Sequence, residues 1–280
     1  MTTAAEPVEL VDKGSSHNTD AVELSGITVR FSIPSERISS FKEYVLRRLT
    51  GSIEHRELFA LRNVSLRVRS GEFLGVVGRN GAGKTTLLKV ISRVLYPTRG
   101  RVAIRGRTAP LLGLGAGFHF DLTGRENVFL NAALLRHPRR AVERRLAEVI
   151  AFSELADFFD VPIRNYSSGM LARLGFSVAT MFRPDVLLVD EVLAVGDAAF
   201  REKCLARIQE FRNRGTTILL VSHQTGEIAD HCDRVLWLEQ GEIAGLGKAD
   251  AVLAQYGKAL TTEHRVGPAD ATQVEPLAEP

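Results

Sequence analysis

Apolar and polar residues change their spacing several times along this chain, and each change marks an element. From residue 21 to 31, Val22, Leu24, Ile27, Val29 and Phe31 suggest a pleated segment, which predicts a half-buried strand. Residues 61–68 alternate apolar and polar, as an exposed antiparallel strand does, whereas 73–77, 186–189 and 217–221 are unbroken apolar runs. Unbroken runs mark strands of a parallel sheet covered on both faces. Between them the apolar positions return at helical spacing, predicting helices over 85–94, 139–152, 170–181 and 201–212. Residues 235–239 and 242–244, on either side of Gln240-Gly241, predict a closing hairpin. Strands that alternate with helices imply an α/β fold with a doubly wound sheet and helices on both faces.

Residues 34–57 depart from that plan. Ile38, Phe41, Val45 and Leu49 fall at helical spacing, with Lys42, Arg47 and Arg48 off the stripe, so a helical insertion is expected. Its apolar stripe fits either packing on the core or docking on a membrane protein or membrane surface. Residues 1–20 read as a disordered lead-in. Residues 258–280, with Pro268, Pro276 and Pro280, read as a disordered tail. No internal repeat is visible, so a single functional domain over 21–257 is expected.

Composition then removes function classes. With 45% hydrophobic and 25% charged residues the chain is an ordinary globular protein, and a net charge of +3 is too mild to argue for nucleic acid. No run approaches the roughly 18 apolar residues of a spanning helix, and the first residues lack the apolar stretch of a signal. Any membrane-spanning part would come from another chain. Cys204 and Cys232 lie outside metal-ligand spacing and read as reduced, inert thiols of a cytosolic protein.

The chemistry begins at Gly78-Arg79-Asn80-Gly81-Ala82-Gly83-Lys84-Thr85-Thr86, which fits the phosphate-loop pattern. Glycines let the backbone approach a phosphate, and successive N–H groups at a helix start form a concave anion site. Lys84 adds charge for the terminal phosphates, and the Thr85 hydroxyl can ligate Mg²⁺. The loop follows a predicted strand and opens a predicted helix, as this mechanism requires. Downstream, the run 186–189 ends in Asp190-Glu191. Asp190 at the strand end suits Mg²⁺ through its water shell, and Glu191 suits a general base on the attacking water.

Tyr166-Ser167-Ser168-Gly169-Met170 lies upstream of Asp190, where ATP-binding cassette (ABC) proteins carry their signature. Ser167 and Gly169 match the usual Leu-Ser-Gly-Gly-Gln; Tyr166, Ser168 and Met170 do not. By themselves these residues also fit a serine N-cap. Their order along the chain is that of the family: phosphate loop, signature, acidic strand, then Ala194-Val195-Gly196-Asp197 and His223. The resemblance covers about 21–257. It implies an ABC-ATPase fold of the P-loop NTPase class, with an antiparallel β-subdomain and an α-helical subdomain at about 114–182. It also implies ATP and Mg²⁺ as cofactors, with Lys84, Glu191 and His223 catalytic and Thr85 and Asp190 on the metal. Ser167, Ser168 and Gly169 would close on the nucleotide of a second copy in a homodimer, with the segment ending in Asp197 crossing the interface. The adenine would rest on Phe31 or Phe59.

The variant signature, residues 192–197, and Gly115 to His119 leading into Leu122-Thr123-Gly124-Arg125-Glu126-Asn127 resemble one branch, the nucleotide-binding subunits of bacterial polysaccharide exporters. That resemblance implies an ATPase that drives a lipid-linked polysaccharide through an integral membrane permease, bound peripherally at the cytoplasmic face of the inner membrane. The 34–57 insertion would then contact the partner or the membrane. No C-terminal β-sandwich is expected after 257, so glycan recognition would lie elsewhere. The chain departs from most transporters in having no glutamine between residues 100 and 130, with Gly113 near the place where relatives carry an acid. The other reading is a soluble ABC ATPase acting on nucleic acid or ribosomes. The single cassette, the weak charge and the absence of a coiled coil or zinc motif count against it.

Overall fold

The computed structural model describes residues 20–34, 55–113, 115, 117–190 and 197–264. Two sheets organise it. The first is antiparallel, in the order β2-β1-β4, from β1 (Asp20–Pro34), β2 (His55–Arg69) and β4 (Arg99–Ile104). The second has six strands, in the order β5-β6-β7-β3-β8-β9. Its parallel strands are β3 (Phe73–Val77), β5 (Thr108–Leu111), β6 (Val186–Val189), β7 (Thr217–Val221) and β8 (Arg234–Glu239), and antiparallel β9 (Glu242–Lys248) closes the edge.

The unbroken apolar runs follow from this layering. Leu74, Val76, Val186 and Leu188 face the β1–β2 ribbon and helix α1 (Lys84–Ile91) in one core. Phe73, Val77, Leu187, Val189, Ile218 and Leu220 face the other way, onto α5 (Ala198–Asn213), α6 (Thr225–His231) and α7 (Ala249–His264). Both faces of a strand such as β6 are covered, and each buried aliphatic side chain contributes on the order of 1.5–3 kcal/mol. A third core binds α2 (Gly124–Leu134), α3 (Arg139–Ser153) and α4 (Ser168–Ala179) through Val128, Val149, Phe159, Ile163 and Leu174, which makes the helical subdomain.

Some boundaries differ from the sequence reading. The first strand extends to Pro34 and the second begins at His55, so residues 34 and 55–57 are strand rather than part of a helical insertion. Paired backbone N–H and C=O groups carry the ribbon past its last buried side chain. Residues 35–54, which hold the predicted amphipathic stripe, lie outside the described residues. At the other end α7 runs to His264, so residues 258–264 are helix where a tail was expected. Ala249, Val252, Leu253 and Tyr256 anchor it at helical spacing, with Tyr256 edge-on to Trp237 at 5.6 Å. Cys204 and Cys232 are buried, and burial pushes both thiols up to about 12, so they stay protonated.

Candidate nucleotide site

Parallel pairing sets the site. Val76 lies opposite Val221 and Leu236, and Val189 lies opposite Leu220, so β3, β6 and β7 end together. Gly78, Asp190 and His223 therefore emerge from one edge, the carboxyl edge at which doubly wound sheets hold ligands.

The loop after β3 is shaped for close approach. Gly78, Gly81 and Gly83 have φ of 150, 80 and 103°, a region that side-chain-bearing residues avoid. A Cβ on Gly78 would lie 2.3 Å from the Leu238 carbonyl oxygen, and one on Gly83 would lie 2.5 Å from that of Ala60. The loop is thus wedged between β8 and β2, where only glycine fits. The Gly241 N–H donates to the Ala82 carbonyl at 3.1 Å, so the β8–β9 turn buttresses it. Arg79, Asn80 and Gly81 are exposed and Ala82 is buried. Lys84 is buried, and its Nζ donates to the carbonyl oxygens of Gly78 at 2.6 Å and Arg79 at 3.0 Å. The ammonium is held over the loop, in the concavity formed by its backbone.

Thr85 Oγ1 donates to Asp190 Oδ2 at 3.2 Å, although the two residues are 105 apart in sequence. Two oxygen ligands of a hard cation thus meet where the loop and β6 converge. Among the described residues no group of three or more His, Cys, Asp or Glu forms an all-protein metal site. The pair fits Mg²⁺, which keeps several waters and takes phosphate oxygens besides one or two protein ligands. Thr86 is half-buried in the first turn of α1. Glu191 lies outside the described residues, as do 192–196.

His223 is exposed just beyond β7. Its loop is pinned from behind: Ser222 Oγ donates to Glu227 Oε2 at 3.0 Å, and Glu227 pairs with Arg201 of α5. Ser167 is the N-cap of α4, accepting the Met170 N–H at 3.2 Å, so the capping reading of these residues holds structurally. Ser167 and Ser168 are nonetheless exposed at a helix start, where N–H groups favour an anion. Tyr166, which departs from the usual leucine, is buried in the helical core, and its hydroxyl donates to the Phe158 carbonyl at 2.7 Å.

One contact of the signature helix was not read from the sequence. Arg173 lies on the signature helix α4, and its Nη2 donates to Asp197 Oδ2 at 2.7 Å. Its other nitrogen pairs with Glu154, and its guanidinium lies 4.6 Å over the Phe200 ring. Asp197 in turn caps α5 through the Phe200 N–H at 2.9 Å. That hydrogen bond, then the one from Arg173, holds the Asp197 carboxyl below the usual carboxylate range. Charge at these two positions was visible, but their pairing across 24 residues needs the packing of α4 on α5.

The two aromatic candidates fall on opposite faces of the β1–β2 ribbon. Val29 and Leu61 are buried toward the core and the phosphate loop, and a register shift at Val29/Arg30 pairs Arg30 with Phe59 and Phe31 with Leu58. Phe59 lines an outer pocket with Arg30, and the Arg62 guanidinium lies 4.8 Å over its ring. Phe31, two positions beyond Val29, takes the loop side and is 39% exposed. Gly113 follows β5, beside β6, with φ of 60°.

Comparison with known proteins agrees with this geometry. The family model described as "ABC transporter" matches residues 61–194. The chain is 44% identical over 241 residues to the O-antigen export system ATP-binding protein RfbB of Klebsiella pneumoniae, covering 85% of this chain and 98% of that one. It is 40% identical over 243 residues to the teichoic acids export ATP-binding protein TagH of Lactococcus lactis, covering 86% of this chain and 52% of that longer one. Among solved structures, an ATP-binding subunit of an ABC transporter aligns with a TM-score of 0.68 at 22% identity, over 87% of this chain and 98% of that one. A dimeric ATP-binding cassette bound to ADP and Pi aligns with a TM-score of 0.65 at 22% identity, over 81% and 98%. The two structures speak to the fold.

Proposed function

The chain belongs to the ABC transporter family, among the ATP-binding proteins of polysaccharide export systems, and from that premise we propose that it powers export of a lipid-linked polysaccharide through an integral membrane permease. It is a MgATP-dependent ATPase. The observation that carries the export reading is the 44% identity along 98% of an O-antigen export ATP-binding protein. The same relationship speaks against the nucleic-acid or ribosome reading.

Each site residue then has a part in binding or hydrolysis. The loop 78–83 and Lys84 hold the phosphates and take up charge as it develops on the γ-phosphoryl oxygens. Thr85 and Asp190 hold Mg²⁺, which when bound neutralises phosphate charge. Glu191 accepts a proton from the attacking water, and His223 donates to the γ-phosphate from the end of β7. Phe31, on the loop side of the ribbon, supports the adenine in preference to Phe59. Ser167, Ser168 and Gly169 belong to the helical subdomain rather than to the sheet edge, and they complete the site of a second copy in a head-to-tail homodimer. Arg173 is a positioning residue: it fixes Asp197, the far anchor of the segment that starts at Glu191, from the helix that starts at Ser167.

The permease docks in the apolar groove between the sheet and the helical subdomain, a space of about 370 Å³. Leu112, Phe118, Leu134 and Val178 line it, and Val94 and Leu134 are 67% and 63% exposed at its margin. Uncovered apolar surface of this kind marks a partner site. Because the groove joins two packed units, a shift between them reaches whatever is seated there. No helix among the described residues is long and apolar enough to cross a membrane. The relationship to export ATP-binding proteins supports a peripheral place, at the cytoplasmic face of the permease.

Deleting the gene should leave the polysaccharide inside the cell, with surface display restored by the wild-type chain; undiminished surface glycan in the deletion strain would refute the export reading. The positioning role has its own measurement. Asp197→Asn retains a capping oxygen, and Arg173→Gln removes the guanidinium while keeping a polar end; each should lower kcat by about one to two orders of magnitude through misplacement of the base. The double variant should be no worse than the poorer single one. Additive losses, or losses that follow a drop in Tm, would reduce Arg173 to a structural residue.

A further inference from the structure

Behind the β1–β2 ribbon, on the side away from the phosphate loop, lies an open pocket of about 440 Å³. Arg30, Arg62 and Arg99 line it with Phe59, Thr28 and Thr98. Arg30 and Arg62 each follow a residue buried in the core, Val29 and Leu61, so they occupy the opposite face. The phosphate loop lies on the Leu61 side, where a Cβ on Gly83 would come 2.9 Å from Leu61 Cδ2. The ribbon therefore separates this pocket from the nucleotide.

Several polar groups of the pocket are held in place. Asn63, also in the lining, has a positive φ of 49°, and its N–H donates to Thr28 Oγ1 at 3.1 Å. The Arg30 N–H donates to Thr98 Oγ1 at 3.0 Å. A threonine hydroxyl that accepts still has its own proton to give. The Arg62 guanidinium carbon lies 4.8 Å from the centre of the Phe59 ring, and Arg30 Nη1 is held by Glu57 Oε1 at 2.5 Å. Three guanidinium groups and two hydroxyls thus present donors, against the acceptors of Glu242 and Asn63. A donor-rich pocket selects an oxygen-rich anion, and arginine forks match phosphate oxygens. The Glu242 carboxylate repels a bare anion but accepts from a neighbouring hydroxyl.

We propose that this pocket binds a hydroxylated phosphate ester, independently of ATP, with Arg62 and Arg99 on the phosphate and Glu242 on an adjacent hydroxyl. The ester is carried either by a soluble sugar phosphate or by a lipid headgroup. The test fills the nucleotide site with Mg²⁺ and a non-hydrolysable ATP analogue. Glucose 1-phosphate is then titrated in one arm, and phosphatidylcholine vesicles containing phosphatidylglycerol in the other. Saturable binding in the first arm assigns a soluble ester, and binding in the second a headgroup. In either case Arg62→Gln/Arg99→Gln should weaken it by about tenfold or more, with analogue affinity and ATP turnover unchanged as the check on folding. No binding in both arms, or binding that survives the double substitution or is matched by inorganic sulfate, would overturn the proposal.

Discussion

Glu191→Gln should lower kcat by about two to four orders of magnitude, the range that a positioned general base contributes. It should leave MgATP affinity nearly unchanged. Glutamine keeps the size and an acceptor oxygen of glutamate but cannot take a proton at neutral pH. The loop 78–83, Lys84 and the Thr85–Asp190 pair would be untouched, so the nucleotide would still bind and its phosphates would still attract the Ser167 end of a second copy. On the proposed head-to-tail arrangement the closed dimer would form on binding and open only after hydrolysis, so it should accumulate, visible as a MgATP-dependent dimer by size-exclusion chromatography. Turnover at the wild-type rate would remove Glu191 from the role of base.

Lys84→Ala should fail in a different way. The ammonium sits buried over the loop, bonded to two carbonyl oxygens, at the point where phosphate oxygens are expected. Removing it takes away a charged donor that acts on both bound and reacting phosphate. Turnover should fall by about two to three orders of magnitude, as for loss of one preorganised donor. MgATP binding should weaken by about tenfold or more as the charge-assisted bonds are lost, and no dimer should be trapped. Titration with a fluorescent ATP analogue separates the two variants. A Lys84→Ala protein that binds normally and accumulates as a dimer would mean that the lysine serves only the chemical step.

Much of this protein was open to reading before the structure. Three unbroken apolar runs became β3, β6 and β7, because strands covered on both faces cannot carry polar residues. Gly78, Gly81 and Gly83 all take positive φ, a local property, so their pattern alone locates the loop, although the carbonyls that crowd Gly78 and Gly83 come from β8 and β2. Other elements carried signals that went unread. Thr123 and Glu126 form a complete capping box at the start of α2, and the stripe Ala249, Val252, Leu253, Tyr256 begins a helix that runs on to His264, past the start of the expected tail at 258.

The sequence by itself determined the elements, the phosphate loop, the acidic strand end and the order of motifs, since each depends on neighbours a few residues away. Only the tertiary structure decided which distant groups meet. Thr85 reaches Asp190 because β3 and β6 each pair with β7 and their ends open on one edge. Phe31 and Phe59 part company because a register shift turns adjacent pairs to opposite faces of the ribbon. Arg173 holds Asp197 because α4 and α5 pack together. Such contacts come from long-range pairing and packing, in which one residue of register reverses a side chain, and no local pattern encodes them.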